Sequence, residues 1–157
     1  MRRQIRSLRR KEEDVGTNSR LFNILLVEDD PADVQLARQA MKESSIPYSL
    51  KVVGNGEEAM SYLLSRDSEA GLEHPDIILL DLNLPEKGGI EVLKEIKENA
   101  DLRRIPVIVL TTSNDERDVE KAYAVHANCY ITKPVDYDKF SGVIKSIVNY
   151  WSSVAKI

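Results

Sequence analysis

The sequence has a single cysteine, Cys129, no long apolar run and no internal repeat. One cysteine cannot form an internal disulfide, which favours a reducing cytoplasm as the location of the protein. No apolar stretch approaches the ~20 residues that a transmembrane helix needs. The arginine-rich N-terminus has no apolar segment behind it, so it is unlike a secretory signal. The 157 residues suffice for one domain with its own core and are too few for two ordinary ones.

Charge is unevenly distributed along the chain. Residues 1–20 carry seven Lys or Arg and three acids, a net charge of +4, so residues 21–157 carry 15 bases and 23 acids, a net charge of −8. An acidic body argues against nucleic-acid binding. We therefore expect residues 1–20 to form a basic, mobile tail and residues 21–157 to form a single domain.

Three short apolar runs are continuous instead of alternating with polar residues. They are Ile24–Val27, Ile77–Leu80 and Val107–Leu110. Strands buried on both faces have this pattern, which indicates a central parallel sheet. Two weaker candidates, Tyr48–Val53 and Cys129–Thr132, are expected nearer the sheet edges.

Segments with helical spacing of apolar residues lie between these strands. The first is predicted to begin at Pro31 after Asp30, the second to span Glu57–Leu64, and the third to open at Gly88-Gly89. The fourth has Asn114 or Asp115 as its cap, and the fifth follows the apolar series Phe140, Val143, Ile144, Ile147, Val148 and Trp151. Five alternating β–α units predict an α/β fold of the flavodoxin-like, doubly wound type, a five-stranded parallel sheet of order 2-1-3-4-5 with helices on both faces.

Charged and hydroxyl side chains follow four of the predicted strands. Glu28 and Asp29 follow the first strand, Asp81 the third, Thr111 the fourth and Lys133 the fifth. Ligands of such sheets bind at the carboxyl ends of the strands, so these side chains should converge. Clustered carboxylates repel each other unless a cation joins them, and Mg²⁺ prefers oxygen ligands. The set predicts phosphoryl transfer, in which an aspartate is itself the nucleophile.

The segments that carry these residues resemble a known family. Four motifs in this order resemble the receiver domains of two-component response regulators: Val27–Asp30, Asp81–Pro85, Pro106–Thr111 and Tyr130–Pro134. The resemblance runs from about Asn23 to about Trp151. Within the family, the chain is most similar to the stand-alone regulators that are partnered with bacterial phytochromes.

The resemblance implies a role for each residue of the charged set. Asp81 would be the phosphoacceptor, which takes a phosphoryl group from a phosphohistidine of a sensor histidine kinase. Mg²⁺ would be held by Glu28, Asp29, Asp81 and the backbone carbonyl of Asn83. Lys133 would pair with the phosphoryl group.

The resemblance also implies a conformational switch. Thr111 would turn its hydroxyl toward the phosphoryl oxygens, and Tyr130 would move from an exposed to a buried rotamer. Pro134 would follow a cis peptide bond, so that the chain turns sharply and aims Lys133 at the phosphoacceptor. His126, where a glycine is common in the family, is expected to be a helix-end residue without a catalytic role.

The resulting hypothesis is a phosphorylated signalling protein that is not an enzyme and has no effector domain after Trp151. Its output would be a contact with an unknown protein, or a homodimer, through the fourth and fifth helices and the fifth strand, where Tyr123 and Tyr130 lie. No nucleic-acid or membrane partner is expected. Two alternatives remain: a scaffold that never takes phosphate, and a phosphatase of the haloacid-dehalogenase type. The second requires an aspartate where this chain has Asn83.

Overall fold

The computed structural model describes residues 20–65 and 73–154. Five strands alternate with five helices: β1 Phe22–Val27, α1 Pro31–Lys42, β2 Tyr48–Val53, α2 Gly56–Ser65, β3 Ile77–Leu80, α3 Gly89–Glu98, β4 Val107–Thr111, α4 Glu116–Ala124, β5 Cys129–Thr132 and α5 Tyr137–Asn149. A π-helical turn, Tyr150–Val154, continues α5. All strand pairs are parallel, and the order is β2-β1-β3-β4-β5. The predicted fold class and strand order are confirmed.

The central strands β1, β3 and β4 each contain a continuous apolar run because each face of the sheet is covered by helices. On one face, Leu25 and Val27 of β1 pack in a core with α2 and α3. On the other face, Ile24 and Leu26 pack in a second core with α1 and α5. Successive side chains of a strand point to opposite faces, so a continuous apolar run supplies both cores.

Aspartates begin three of the helices and fix where the chain turns away from the sheet. Asp30 accepts a hydrogen bond from the backbone N–H of Ala32 at 2.9 Å at the start of α1. Asp115, one of two predicted caps of the fourth helix, caps α4, and Asp136 caps α5. An oxygen acceptor at this position satisfies a backbone N–H that has no partner within the helix.

Two predictions from the sequence concern residues that lie mostly outside the described part of the chain. The tail predicted over residues 1–20 lies outside the described residues, except for Arg20. Arg20 Nη2 lies 2.9 Å from Asp76 Oδ1, and the mobility expected of residues 1–20 stays a prediction. The polar stretch Ser65–His74, which the sequence predicts to be a surface loop extending the second helix, also lies mostly outside the described residues. Within residues 20–65 and 73–154, no helix has the length and apolar character needed to cross a bilayer.

His126 lies just beyond the C-terminus of α4, as predicted, and has a backbone φ of 72°. This left-handed conformation is the one that glycine commonly supplies after a helix. A residue with a Cβ is strained there by roughly 1 kcal/mol or more.

Replacing His126 with glycine should therefore stabilise the fold, by about 0.5–1 kcal/mol after allowance for the more flexible unfolded chain. Urea unfolding of the two proteins measures the change in stability. Glu120→Gly, a substitution at an exposed position inside α4, is the matched control and should destabilise by about 1 kcal/mol. Stabilisation by both variants, or by neither, would contradict the role assigned to the backbone of residue 126.

Candidate functional site

The site is built around the ammonium group of Lys133 at the carboxyl edge of the sheet. Lys133 follows β5, and its backbone N–H donates to Thr111 O at 2.7 Å. Its side chain is only 5% exposed, and Nζ lies 2.5 Å from Glu28 Oε2, 2.8 Å from Asp33 Oδ2 and 3.1 Å from Asp81 Oδ2. One buried cation is therefore paired with three carboxylates, two from the region where β1 leads into α1 and one that follows β3.

Asp81 directly follows β3 and is buried. Its backbone N–H donates to Val27 O at 3.1 Å, which continues the hydrogen bonding between β3 and β1. Its Oδ1 accepts from the backbone N–H of Asn83 at 3.0 Å, while Oδ2 faces Lys133. The two carboxylate oxygens are thus held by different donors, and the side chain has a defined orientation.

Gly89, at the start of α3, packs against the backbone of Asp81 and Leu82. A Cβ on this residue would lie 2.5 Å from both the Asp81 carbonyl oxygen and the Leu82 Cα. Such a distance is far below van der Waals contact, so only glycine allows α3 to begin this close to Asp81. The Gly88-Gly89 pair seen in the sequence therefore has a packing role at its second position.

Glu28 and Asp29 reach the same edge from the end of β1. Glu28 is buried, and its Oε1 accepts from the backbone N–H of Asp30 at 3.0 Å. Asp29 is exposed. One carboxylate oxygen from each of Glu28, Asp29 and Asp81 can be chosen so that all three lie within 4.8 Å of one another. Three oxygen donors at this spacing, two buried and one facing solvent, fit a hard divalent cation that keeps some of its water.

The electrostatic environment shifts the pKa values of the two buried carboxyl groups in opposite directions. Burial raises the pKa of Glu28 to about 7, although hydrogen bonds from Lys133 and the Asp30 backbone favour its ionised form. Burial also disfavours ionised Asp81, but the Asn83 backbone N–H and the Lys133 ammonium outweigh it, and the pKa of Asp81 is lowered. Burial disfavours charged Lys133 as well, yet its carboxylate partners raise the pKa of Lys133. Asp81 therefore keeps its negative charge to lower pH than Glu28 does.

Thr111 lies at the end of β4 and is fully buried. Its hydroxyl accepts a hydrogen bond from the Asn83 side-chain amide at 3.3 Å. The same amide lies 3.4 Å from the hydroxyl of Thr112. Asn83 thus links the segment after β3 to the end of β4, while its own backbone N–H holds Asp81.

Tyr130 of β5 is half-buried in this structure. Its hydroxyl donates to Ser113 O at 2.8 Å, and its backbone N–H donates to the Tyr123 hydroxyl at 3.0 Å. Tyr130 is thus neither fully exposed nor fully buried here, and its expected move between rotamers stays a prediction. The Ser113 carbonyl gives the phenol a partner that makes the partly buried position favourable.

The expected cis bond before Pro134 is wrong, because the described residues contain no cis peptide bond. The expectation assumed that a sharp turn is needed to aim Lys133 at Asp81. In the structure, Lys133 continues the pairing with β4 and reaches Asp81 through its extended side chain.

Asp33 was not selected from the sequence, although its carboxylate is one of the three partners of Lys133. It lies in the first turn of α1, where an acidic residue is ordinarily explained by the helix dipole. The available signal was its place three residues after the Asp30 cap. The first turn of α1 lies at the same sheet edge as Glu28 and Asp29.

Comparisons with known proteins agree with this geometry. Residues 24–145 match the family model of the response regulator receiver domain. The response regulator Rcp1 of Synechocystis sp. is 45% identical over 128 residues, which are 82% of this chain and 87% of Rcp1. The structure of the phosphorylated cyanobacterial phytochrome response regulator RcpA has a TM-score of 0.81 at 45% identity, over 87% of this chain and 97% of RcpA. The Mn²⁺-bound form of Rcp1 has a TM-score of 0.79 at 43% identity, over 86% and 97% of the two chains. The chain belongs to the response regulator receiver domain family.

Cation binding at this site should depend on pH. A cation requires ionised Glu28, whereas a pKa of about 7 leaves this carboxyl mostly protonated at lower pH. Binding then releases a proton, so Mg²⁺ affinity should rise about tenfold between roughly pH 6 and pH 8. Calorimetric titration with MgCl₂ at the two pH values measures the ratio. In Glu28→Gln, which cannot titrate, affinity should be weaker and nearly independent of pH over this range. A wild-type affinity that is equal at both pH values would refute this account of Glu28.

Proposed function

We propose that the protein is a phosphoacceptor whose Asp81 takes a phosphoryl group from a phosphohistidine of a sensor histidine kinase, with Mg²⁺ bound beside it. The main support for the proposal is that Lys133, Glu28 and Asp29 converge on Asp81. Its Oδ2 lies 3.1 Å from the Lys133 ammonium, and one of its oxygens lies within 4.8 Å of oxygens of Glu28 and Asp29. Phosphoryl transfer requires positioning and charge neutralisation more than covalent work by the protein, and this site provides both.

The transfer forms one bond and breaks one bond. A carboxylate oxygen of Asp81 bonds to phosphorus as the bond between phosphorus and the kinase imidazole nitrogen breaks, and the electron pair of that bond remains on the nitrogen. Lys133 neutralises charge on the phosphoryl oxygens, and the Thr111 hydroxyl donates to one of them after turning away from Asn83. Asp81 is well placed as the nucleophile because its pKa is lowered.

The metal site is proposed to consist of Glu28, Asp29, Asp81 and the backbone carbonyl of Asn83, with Mg²⁺ as the ion. The Mn²⁺-bound form of Rcp1 supports a divalent cation in a similar protein. Oxygen donors with one solvent-facing carboxylate suit Mg²⁺, which keeps several waters. When bound, the ion neutralises carboxylates and phosphoryl oxygens together.

The proposed donor is a sensor histidine kinase of the phytochrome-like type. The similarity to RcpA, a cyanobacterial phytochrome response regulator, supports this choice. The protein would act in the cytoplasm, where kinases use ATP, and would be a signalling protein that contributes groups to its own phosphorylation instead of an enzyme that acts on a separate substrate.

The proposed output surface comprises α4, β5 and α5. Tyr123 is 47% exposed there, and its hydroxyl accepts from the backbone of Tyr130. When Thr111 turns toward the phosphoryl group, the hydrogen bonds around Ser113 and Tyr130 should rearrange and change this surface. A downstream protein or a second copy of the chain would bind it. We retain a single receiver domain over residues 21–157 as part of this proposal.

The alternatives fit the site less well. A phosphatase of the haloacid-dehalogenase type needs a carboxylate two residues after the nucleophile, and the Asn83 amide instead donates to Thr111 and Thr112. A scaffold that never takes phosphate would not need Asp81 and Lys133 buried together at 3.1 Å, because burying charges has a cost that a neutral pair avoids.

Asp81→Asn tests the proposed function. The amide has the size of the carboxylate but is a far poorer nucleophile, so phosphoryl uptake should disappear while the fold remains. Intact-mass measurement after incubation with acetyl phosphate and Mg²⁺, and then with a phosphorylated histidine kinase, detects the added group. Asp101→Asn, which removes an exposed carboxylate outside the site, should be phosphorylated like the wild type. A phosphoryl group on the Asp81→Asn protein would show that Asp81 is not the acceptor.

A further inference from the structure

Asp33 is the one described carboxylate partner of Lys133 that does not belong to the candidate cation group. Lys133 Nζ contacts Glu28, Asp33 and Asp81, whereas the carboxylates that can surround a cation are Glu28, Asp29 and Asp81. Asp33 projects from the first turn of α1, and its side chain is 25% exposed. It therefore touches the lysine from outside the group that would hold the metal.

An ammonium group has three N–H donors and no acceptor. In this structure Glu28, Asp33 and Asp81 provide one acceptor for each donor of Lys133. A bound cation would share the negative charge of Glu28 and Asp81 and would weaken their attraction for Lys133. Asp33 lies outside that group, so its contact with the lysine would not be shared with the ion.

We propose that Asp33 is a positioning residue that holds the Lys133 ammonium beside Asp81 when the cation and the phosphoryl group occupy the site. The inference rests on the proposed function of Asp81. Asp33 does not touch the reacting atoms and acts only through Lys133. Its 2.8 Å contact leaves the other two donors of the ammonium directed toward the phosphoacceptor side, where a phosphoryl oxygen can replace a carboxylate oxygen.

Charge repulsion by Asp33 would have the opposite effect on the rate of phosphorylation. A fourth carboxylate near Asp81 repels an anionic phosphodonor and competes with the phosphoryl group for Lys133. On that account, removing Asp33 would accelerate phosphorylation. Positioning is favoured because the three donors of the ammonium point in different directions. One donor can remain on Asp33, at 2.8 Å, while another meets the phosphoryl group.

The test measures the rate of phosphorylation by acetyl phosphate at saturating Mg²⁺, followed by intact mass. Asp33→Ala should slow the reaction about tenfold, as expected for the loss of a hydrogen bond between charged groups. Asp33→Asn, which keeps an oxygen acceptor without the charge, should fall between Asp33→Ala and the wild type. Asp138→Asn is the matched control, since Asp138 is an exposed acid in the first turn of α5; its rate should equal that of the wild type.

A double-mutant cycle shows whether Asp33 acts through the lysine. In the Lys133→Met background, Asp33→Ala should have no further effect on the rate. Thermal unfolding of the metal-free proteins gives a second readout: Asp33→Asn should lower the melting temperature of the wild type and leave that of Lys133→Met unchanged. This second readout does not depend on phosphorylation.

Three results would overturn the inference: an Asp33→Ala rate equal to that of the wild type, a faster rate, or the same slowing in both Lys133 backgrounds. In each of these cases the wild type still gains a phosphoryl group on Asp81, so the proposed function survives. A wild type that takes no phosphoryl group under any condition would instead refute the proposed function, and the role of Asp33 with it.

Discussion

The structure at the carboxyl edge of the sheet depends on one interaction, the pairing of the buried Lys133 ammonium with carboxylates. Glu28 and Asp81 are both buried, and each lies within about hydrogen-bonding distance of Nζ, at 2.5 and 3.1 Å. Two buried carboxylates without a cation would repel each other and would each have lost their hydration. Lys133 offsets the repulsion between the two carboxylates when no metal ion is bound. A divalent cation and a phosphoryl group would then change which groups the ammonium contacts. Signalling by this protein is, on this account, a redistribution of partners around one ammonium group.

The sheet fixes the positions of these charged groups because the register of its central strands is fixed. β1, β3 and β4 supply side chains to cores on both faces, and a shift by one residue would exchange the two sets of side chains between the faces. Glu28 and Asp81 are the residues that directly follow β1 and β3, and Val27 pairs with Leu80 just before them. Apolar packing in the body of the domain therefore fixes the relative positions of charged groups at its edge.

Much of this arrangement follows from the sequence, and particular residues show where prediction stops. The edge strands Tyr48–Val53 and Cys129–Thr132 have the predicted bounds, but β1 starts at Phe22, two residues before the expected Ile24, because Phe22 pairs with Tyr48. That pairing depends on a neighbouring strand and cannot be read from the apolar run alone. The convergence of Glu28, Asp29, Asp81 and Lys133 was predictable because parallel strands end at one edge.

The remaining features depend on contacts between distant segments. Asp33 lies 100 residues from Lys133 in the chain, and a first-turn acid is sufficiently explained by local helix chemistry. The partly buried position of Tyr130 depends on a carbonyl of Ser113, and the peptide bond before Pro134 depends on how the segment after β5 leaves the sheet. Rotamers and peptide isomers of this kind are chosen by tertiary contacts, which composition and periodicity do not encode.

A crystal structure with Mg²⁺ and beryllium fluoride, which mimics an aspartyl phosphate, tests the central role of Lys133 most directly. The account predicts the fluoride group on Asp81, a cation contacting Asp29 and Asp81, and Lys133 Nζ within hydrogen-bonding distance of a fluorine while it still contacts Asp33. A lysine that remains on Glu28 without contact to the fluoride group, or a fluoride group bound away from Asp81, would contradict it.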